Sequence, residues 1–322
     1  MTDTTTRVFT VGDDDAETRL DVYLADCSDL SRSRIKSLML EGFITVNTDS
    51  HPKPSYRVET GDSIELRVKP SVVPSFLPEK IDLDIIYEDE HIIVINKPAG
   101  MVVHPARGHY TGTLASGLLY HSAKLADVGE AHKPGLVHRL DMDTTGLLVA
   151  ALTEESFGVL SGMIHDREVA RTYTAYVWGH PEPRSGKIDA PIGRHPKNRT
   201  LKAIIEGGRP SVTNYETFAW YEFLSKLDVS LMTGRTHQIR VHLESCGHHV
   251  FGDPSYGGRD KRLKGFSPEI RERARVYLKH VHRQALHASR LAFDHPVTGE
   301  RMAFEAPLPE DLAWLQAHLD AE

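Results

Sequence analysis

Cysteine is scarce. Cys27 and Cys246 are the two in 322 residues, too few and too far apart for a disulfide framework or a CxxC pair. Long apolar runs are missing as well. No stretch approaches the ~18 residues that a membrane-spanning helix needs, and the opening residues, acidic at Asp13, Asp14 and Asp15, lack the basic and apolar regions of a secretory signal. The expectation is a soluble cytoplasmic protein with no membrane partner. An excess of positive charge is also absent, since 38 Lys and Arg face 45 Asp and Glu for a net charge of −7. Bulk charge therefore makes no case for a nucleic acid, and any such case must rest on local patches. What is present is apolar material enough for a packed core, 40% of residues with 26% charged. A wholly disordered chain is excluded.

The order of the chain suggests two folded parts. Residues 1–16 hold few apolar side chains and read as a solvated, disordered acidic tail. Residues 17–70 read as a small α+β unit. Leu20, Tyr23 and Leu24 fall at helical spacing, as do Ile35, Leu38 and Met39. Phe43–Val46 and the alternating Ile64, Leu66 and Val68 predict strands. Residues 71–80 form an expected linker, with Pro70, Pro74 and Pro78 in and beside it. From 81 to 322 strands dominate: Ile85–Tyr87 and Ile92–Ile95 around an acidic turn, Leu136–Val137 and Leu147–Val149 around a polar loop, then Tyr173, Ala175 and Val177, and Leu227, Val229 and Leu231. Strands and helices do not alternate regularly. The expected fold class is α+β, a mixed, largely antiparallel sheet with flanking helices.

Three segments could carry chemistry. The loop Gly135–Val149 encloses Asp141 and Asp143 with His138 and Arg139, and loops at strand ends are where a rigid sheet positions reactive groups. Local turn hydrogen bonds by the two acids would explain the same composition. Leu231–Cys246 runs from a strand through Thr233-Gly234 into a predicted helix from about Thr236. Arg235 and Arg240 near its start favour an anion, or are simply solvated cations on a surface helix. Arg171–Trp178 is a strand with aromatics on both faces, for which core packing is the ordinary explanation.

Metal and nucleotide motifs do not form. His237, His242, Cys246, His248 and His249 cluster without HExxH or paired CxxC spacing, so no metal site is expected. No GxxxxGK[ST] and no strand-linked GxGxxG occurs. Asp141-x-Asp143-x-Thr145 matches the nucleophile loop of haloacid-dehalogenase-type phosphotransferases, but His138 and Arg139 interrupt the apolar strand such loops follow. The late pair Asp253 and Asp260 is spaced too widely to complete that magnesium site.

Taken in order, these segments resemble the RluA/RluD family of RNA pseudouridine synthases, most closely its RluD-like members. The likeness rests on Val94–Pro105, His138-Arg-Leu-Asp141, Thr144–Val149, Pro191–Pro196, Thr233–Arg240, Gly252–Gly257, His295–Glu300 and Phe304–Pro309. Leu30–Lys36 and Glu41–Asn47 similarly resemble an S4 RNA-binding domain. Departures are small: Arg171 stands where relatives carry lysine, and Asn47-Thr48 where they show Asn-Gly.

The resemblance implies isomerisation of uridine to pseudouridine in RNA, most closely in large-subunit (23S-type) ribosomal RNA. Such a reaction has no net redox change and needs no cofactor. It implies Asp141 as the nucleophile, with attack at C1′, attack at C6 or a glycal route left open. Arg240 would keep that carboxylate ionised, and Tyr173 would stack on the base and move a proton late in the reaction. RNA-binding roles follow for Arg32, Arg34 and Lys36 in the S4-like unit, and for Arg139, Arg194, Lys197, Arg199, Arg235 and His237 in the larger part. Arg259, Lys261, Arg262 and Lys264 form a further basic patch, explained equally by solvation. A monomer is expected. The competing functions are an RNA-binding ribosome-assembly protein with an idle site, and a transfer-RNA pseudouridine synthase.

Overall fold

In this computed structural model the described residues are 5–28, 30, 32–49, 52–53, 55–68, 77–105, 109–129, 133–198 and 200–321. The chain divides into two compact units, Met1–Ser75 and Phe76–Glu322. Among the described residues no helix is long and apolar enough to cross a membrane.

The first unit contains β1 (Thr5–Thr10), α1 (Leu20–Cys27), α2 (Arg32–Leu40), β2 (Ile44–Val46) and β3 (Ser63–Val68). Its antiparallel sheet runs β1-β3-β2. Leu20, Leu24, Ile35, Leu38, Ile44, Ile64 and Leu66 are fully buried in one core. The expected tail is corrected here. Residues 5–10 pair with β3 along its length, and Val11 enters the core with Phe9 packed against it. Val8 and Thr10, on either side of Phe9, are exposed, so a two-residue alternation was present beside the acidic run that obscured it.

The second unit contains β4 (Ile85–Glu88), β5 (Ile92–Lys97), α3 (Leu114–His121), β6 (Thr145–Ala151), α4 (Glu154–Asp166), β7 (Ala170–Trp178), β8 (Ser185–Asp189), β9 (Ile192–Arg194), β10 (Lys202–Ile204), β11 (Val212–Trp220), β12 (Leu224–Leu231), α5 (Gln238–Ser245), α6 (Pro268–His280), β13 (Leu286–Asp294), β14 (Arg301–Glu305) and α7 (Glu310–Leu319). Its main sheet runs β4-β5-β6-β13-β7-β12-β11-β8, with β14 also on β13. Every pairing is antiparallel except β6 with β13. The mixed, largely antiparallel sheet therefore forms. Leu136–Val137, expected as a strand, makes only a bridge from Leu136 to Ala150.

The centre of the sheet is buried on both faces. β6 is buried at every position and β7 at seven of nine, which is why neither alternates cleanly in sequence. α4 starts at Thr153, whose hydroxyl accepts the Ser156 N–H, and lays Leu160 and Met163 on the core. Gly146 has φ 110, and a Cβ there would lie 2.3 Å from the Ala288 carbonyl oxygen. Only glycine lets β6 approach β13 this closely. That crossing places the loop before β6 against the strand ends of the sheet.

Candidate active site

The loop from His138 to Thr144 is held by distant cations through its backbone. Lys97, at the end of β5, has no exposed surface. Its ammonium donates to the carbonyls of Pro98 (2.7 Å), Met101 (2.9 Å) and Met142 (2.9 Å). Burial pushes its pKa down to about 7, with Asp143 opposing the shift. Three acceptors match the three N–H donors of the charged form. The next carbonyl, Asp143, accepts from Arg283 Nη1 at 2.9 Å, and Arg283 is itself gripped by Asp311 through Nε and Nη2, both at 2.8 Å. Gln284 donates to the Thr144 hydroxyl at 3.2 Å, and the Thr144 N–H closes a turn onto the Asp141 carbonyl at 3.1 Å. Asp141 thus projects from a backbone fixed on both sides.

What meets it is Arg240, in the first turn of α5. Arg240 Nη1 donates to Asp141 Oδ2 at 3.1 Å, while Nε and Nη2 donate to the two oxygens of Asp253 at 2.7 and 3.0 Å. Asp253 is fully buried and also accepts the N–H groups of Ser255 (2.8 Å) and Tyr256 (3.1 Å). Side-on binding by Asp253 fixes the guanidinium plane and leaves Nη1 for Asp141. Burial disfavours the Arg240 charge, but Asp253 and Asp141 outweigh it and raise its pKa further. The Tyr256 ring lies 4.8 Å beneath the guanidinium.

The turn before α5 is built on Gln238. Its side-chain oxygen accepts from the Thr233 hydroxyl (2.8 Å) and the Arg235 N–H (3.0 Å), and its amide donates to Val212 O (2.9 Å) and Thr213 Oγ1 (3.0 Å). His237 takes a left-handed backbone, φ 59, at the helix cap, an uncommon conformation for a residue with a side chain. Its Nδ1 accepts from the Tyr256 hydroxyl at 2.7 Å, and that hydroxyl accepts the Lys202 N–H at 2.9 Å. His237 Nε2 stands 4.0 Å from Asp141, beyond hydrogen-bond length. Burial lowers its pKa against the pull of Asp141, so neutral imidazole is favoured.

Asp141, His237, Gln238 and Arg240 line a cleft of about 730 Å³ that also receives Tyr173 and Arg171 from β7. Tyr173 is 5% exposed, and burial raises its phenol pKa, with Arg171 opposing and Asp141 adding to the shift. His138 accepts the Val149 N–H on Nε2 at 3.1 Å, which leaves its proton on Nδ1. Burial, then Arg171, push its pKa down to about 3. Among the described residues Asp141 is the only carboxylate lining the cleft, facing Lys133, Arg139, Arg167, Arg171, Arg235 and Arg240. In a chain of net charge −7 this is a strong local reversal of sign. It suits a polyanion with one reactive carboxylate inside the site.

The remaining residues singled out from sequence are dispersed. Arg139 and Arg235 are exposed on the cleft wall. Arg194 and Lys197 are exposed around β9, outside the cleft lining. Lys36 is half-exposed and 3.6 Å from the carboxylate of the buried Asp21. The side chains of Arg32 and Arg34, and all of Arg199, lie outside the described residues. The basic patch at 259–264 is in part structural, since Arg259 donates to the carbonyls of Gly252, Leu278 and Val281. Lys97, Asp253 and Arg283 were not assigned roles from sequence. Their positions in the runs Val94–Pro105 and Gly252–Gly257, and just before β13, carry no local sign of their partners.

The family model for RNA pseudouridylate synthase matches residues 91–245, the stretch containing Asp141, Tyr173 and Arg240. The chain is 40% identical over 312 residues to an uncharacterised RNA pseudouridine synthase of Bacillus subtilis, covering 97% of each chain. It is 44% identical over 286 residues to the ribosomal large subunit pseudouridine synthase D of Pseudomonas aeruginosa, covering 88% of this chain and 86% of that one. Among solved structures, human RNA pseudouridylate synthase domain containing 1 superposes with a TM-score of 0.54 at 25% identity, over 76% of this chain and 97% of that one. The chain belongs to the RNA pseudouridine synthases, isomerases that act on RNA.

Proposed function

We propose that this enzyme isomerises uridine in large-subunit ribosomal RNA, with Asp141 as the nucleophile, Tyr173 against the base and Arg240 as the partner that keeps Asp141 ionised. The relatives named for the large ribosomal subunit align over most of the chain, which supports the choice of RNA. The observation that carries the mechanism is the arrangement of Asp141 and Arg240. The one carboxylate lining the cleft among the described residues is paired at 3.1 Å to a guanidinium that Asp253 has already oriented.

The reaction breaks the N1–C1′ bond and forms a C5–C1′ bond. C5 loses a proton and N1 gains one, so atoms and electrons balance without an added reagent. Asp141 supplies the anion at the sugar–base junction. Arg240 steadies that anion without neutralising it. Tyr173, protonated because it is buried, offers a flat face to an everted base and a hydroxyl that can relay the late proton. Met142 and Asp143 carbonyls, tied to Lys97 and Arg283, keep Asp141 in place during base detachment.

Residues 17–70 we assign as an S4-like RNA-binding module, the linker as 71–80 and the catalytic domain as 81–322. The protein is proposed to work as a monomer in the cytoplasm, where ribosomal RNA is made. The test is Asp141→Asn, which keeps shape and removes the anion. It is expected to abolish pseudouridine formation on transcribed large-subunit ribosomal RNA while leaving RNA binding intact. Full turnover by that variant would overturn the assignment. Pseudouridine mapping in cells lacking the gene distinguishes ribosomal from transfer RNA.

A further inference from the structure

Arg171 is a buried cation with no counter-ion among the described residues. It is 8% exposed, its Nε is shielded with no hydrogen-bond partner, and among the described residues no carboxylate pairs with it. Nη1 lies 3.1 Å from the position a Cβ would take on Gly234, so the glycine of the Thr233–Arg235 turn leaves room for the guanidinium. Arg171 precedes Tyr173 by two residues on β7 and therefore projects from the same side of the strand. Both side chains line the cleft that holds Asp141.

A guanidinium withdrawn from water and left unpaired is unfavourable in the free protein. Buried arginines ordinarily satisfy their donors, as Arg240 does with Asp253 and Arg283 with Asp311. The third buried arginine of this region leaves its shielded Nε without a partner. Asp141 bonds Arg240 through Oδ2 and makes no ion pair with Arg171. A ligand must therefore bring the negative charge. Uracil is neutral when it arrives, whereas the RNA backbone carries a permanent anion on each side of the target. Arg139, Arg167 and Arg235 on the same cleft wall extend the positive surface that a backbone would follow.

We propose that Arg171 is the anion-binding residue of the cleft and holds the phosphodiester adjoining the everted uridine. The neutral His138 next to it leaves this subsite with a single positive charge. The inference rests on the reading of the cleft as the RNA site. It adds that binding, not chemistry at the base, is what Arg171 supplies.

The experiment compares wild type, Arg171→Gln and Arg171→Lys on an unmodified transcript of large-subunit ribosomal RNA. Binding is measured across a salt series with Asp141→Asn present in every chain, so that turnover does not intervene. Arg171→Gln is expected to weaken binding by roughly tenfold or more, as for loss of a charged hydrogen bond, and to lower the log–log salt slope by about 0.7–1. Arg171→Lys retains the slope and recovers part of the affinity. The thermal midpoint of the RNA-free protein does not fall in Arg171→Gln, since an uncompensated charge has been removed. An unchanged slope, with the loss confined to the single-turnover rate of chains that keep Asp141, would mean that the charge serves the detached base, and would overturn the proposal. A fall in thermal midpoint with unchanged binding would make Arg171 structural and overturn it equally. Wild-type pseudouridine formation on the same transcript is the control: its absence would count against the ribosomal substrate, not against Arg171.

Discussion

Asp253 grips Arg240 through both Nε and Nη2, at 2.7 and 3.0 Å, and so decides which nitrogen Arg240 presents to Asp141. The active pair is in this sense a triad of carboxylate, guanidinium and carboxylate, in which Asp141 and Arg240 line the cleft and Asp253 lies behind them. Removing the inner member should therefore disturb both stability and catalysis.

Asp253→Ala leaves a buried guanidinium with half its partners gone, and a loss of about 3–5 kcal/mol is expected. Turnover should fall by roughly 10²-fold from misplacement of Arg240 alone. Asp253→Asn, which retains one acceptor for Arg240, should recover much of the stability and less of the rate. Denaturant unfolding and kcat on the same RNA measure the two effects.

Lys97→Met removes the donor that holds the Met142 carbonyl. Turnover is expected to drop while RNA affinity stays near wild type, because Lys97 touches the loop and not the cleft surface. Its pH signature is separate. Between about 7 and the ordinary 10.5 the unfolded chain holds the Lys97 proton and the folded chain does not. The unfolded state then binds more protons, so stability attributable to Lys97 rises with pH across that window. The stability difference between wild type and Lys97→Met should change in that direction from pH 7 to 10, as read by chemical denaturation.

Acid should destabilise the protein through buried histidines. Burial lowers the pKa of His138, His242 and His287. His287 is neutral in the core, accepting the Thr145 hydroxyl on Nδ1 (2.9 Å) with Nε2 turned to the Ala306 carbonyl (3.3 Å). Below their ordinary value of 6.5 the unfolded state takes up protons that the folded state refuses. Stability is therefore fully present above pH 6.5 and declines as pH falls towards the depressed values. Unfolding free energies at pH 7.5 and pH 5 test the sign. Equal values would contradict it.

Gly146→Ala is expected to cost upwards of about 2 kcal/mol, because φ is 110 and the new methyl would meet the Ala288 carbonyl. Gly158→Ala provides the contrast. It lies in α4 with nothing within 4 Å of its Cβ position, and a gain of about 0.5–1 kcal/mol is expected from helix propensity. Melting both variants beside wild type separates a required glycine from an incidental one.

Much of the local structure was legible in the residues. The hairpin of β4 and β5 follows from two apolar runs around an acidic turn, and α1 and α2 from apolar residues at helical spacing. Misreadings came where composition and packing disagreed. The acidic run at 13–15 hid an alternation in which Val8 and Thr10 face out while Phe9 and Val11 turn to the core beside β3. Arg259 looks like a solvated cation in sequence and instead serves three backbone carbonyls.

The residues alone determined the mixed sheet, the apolar strands and the polar loop bearing Asp141, because side-chain spacing reports strand and helix geometry locally. The tertiary structure decided what stands beside that aspartate. Arg240 reaches it from 99 positions away, and Lys97 and Arg283 reach its flanking carbonyls from opposite sides in sequence. Periodicity holds no information about such meetings. They are set by how strands cross in the sheet, and by which buried charges find a partner once water is excluded.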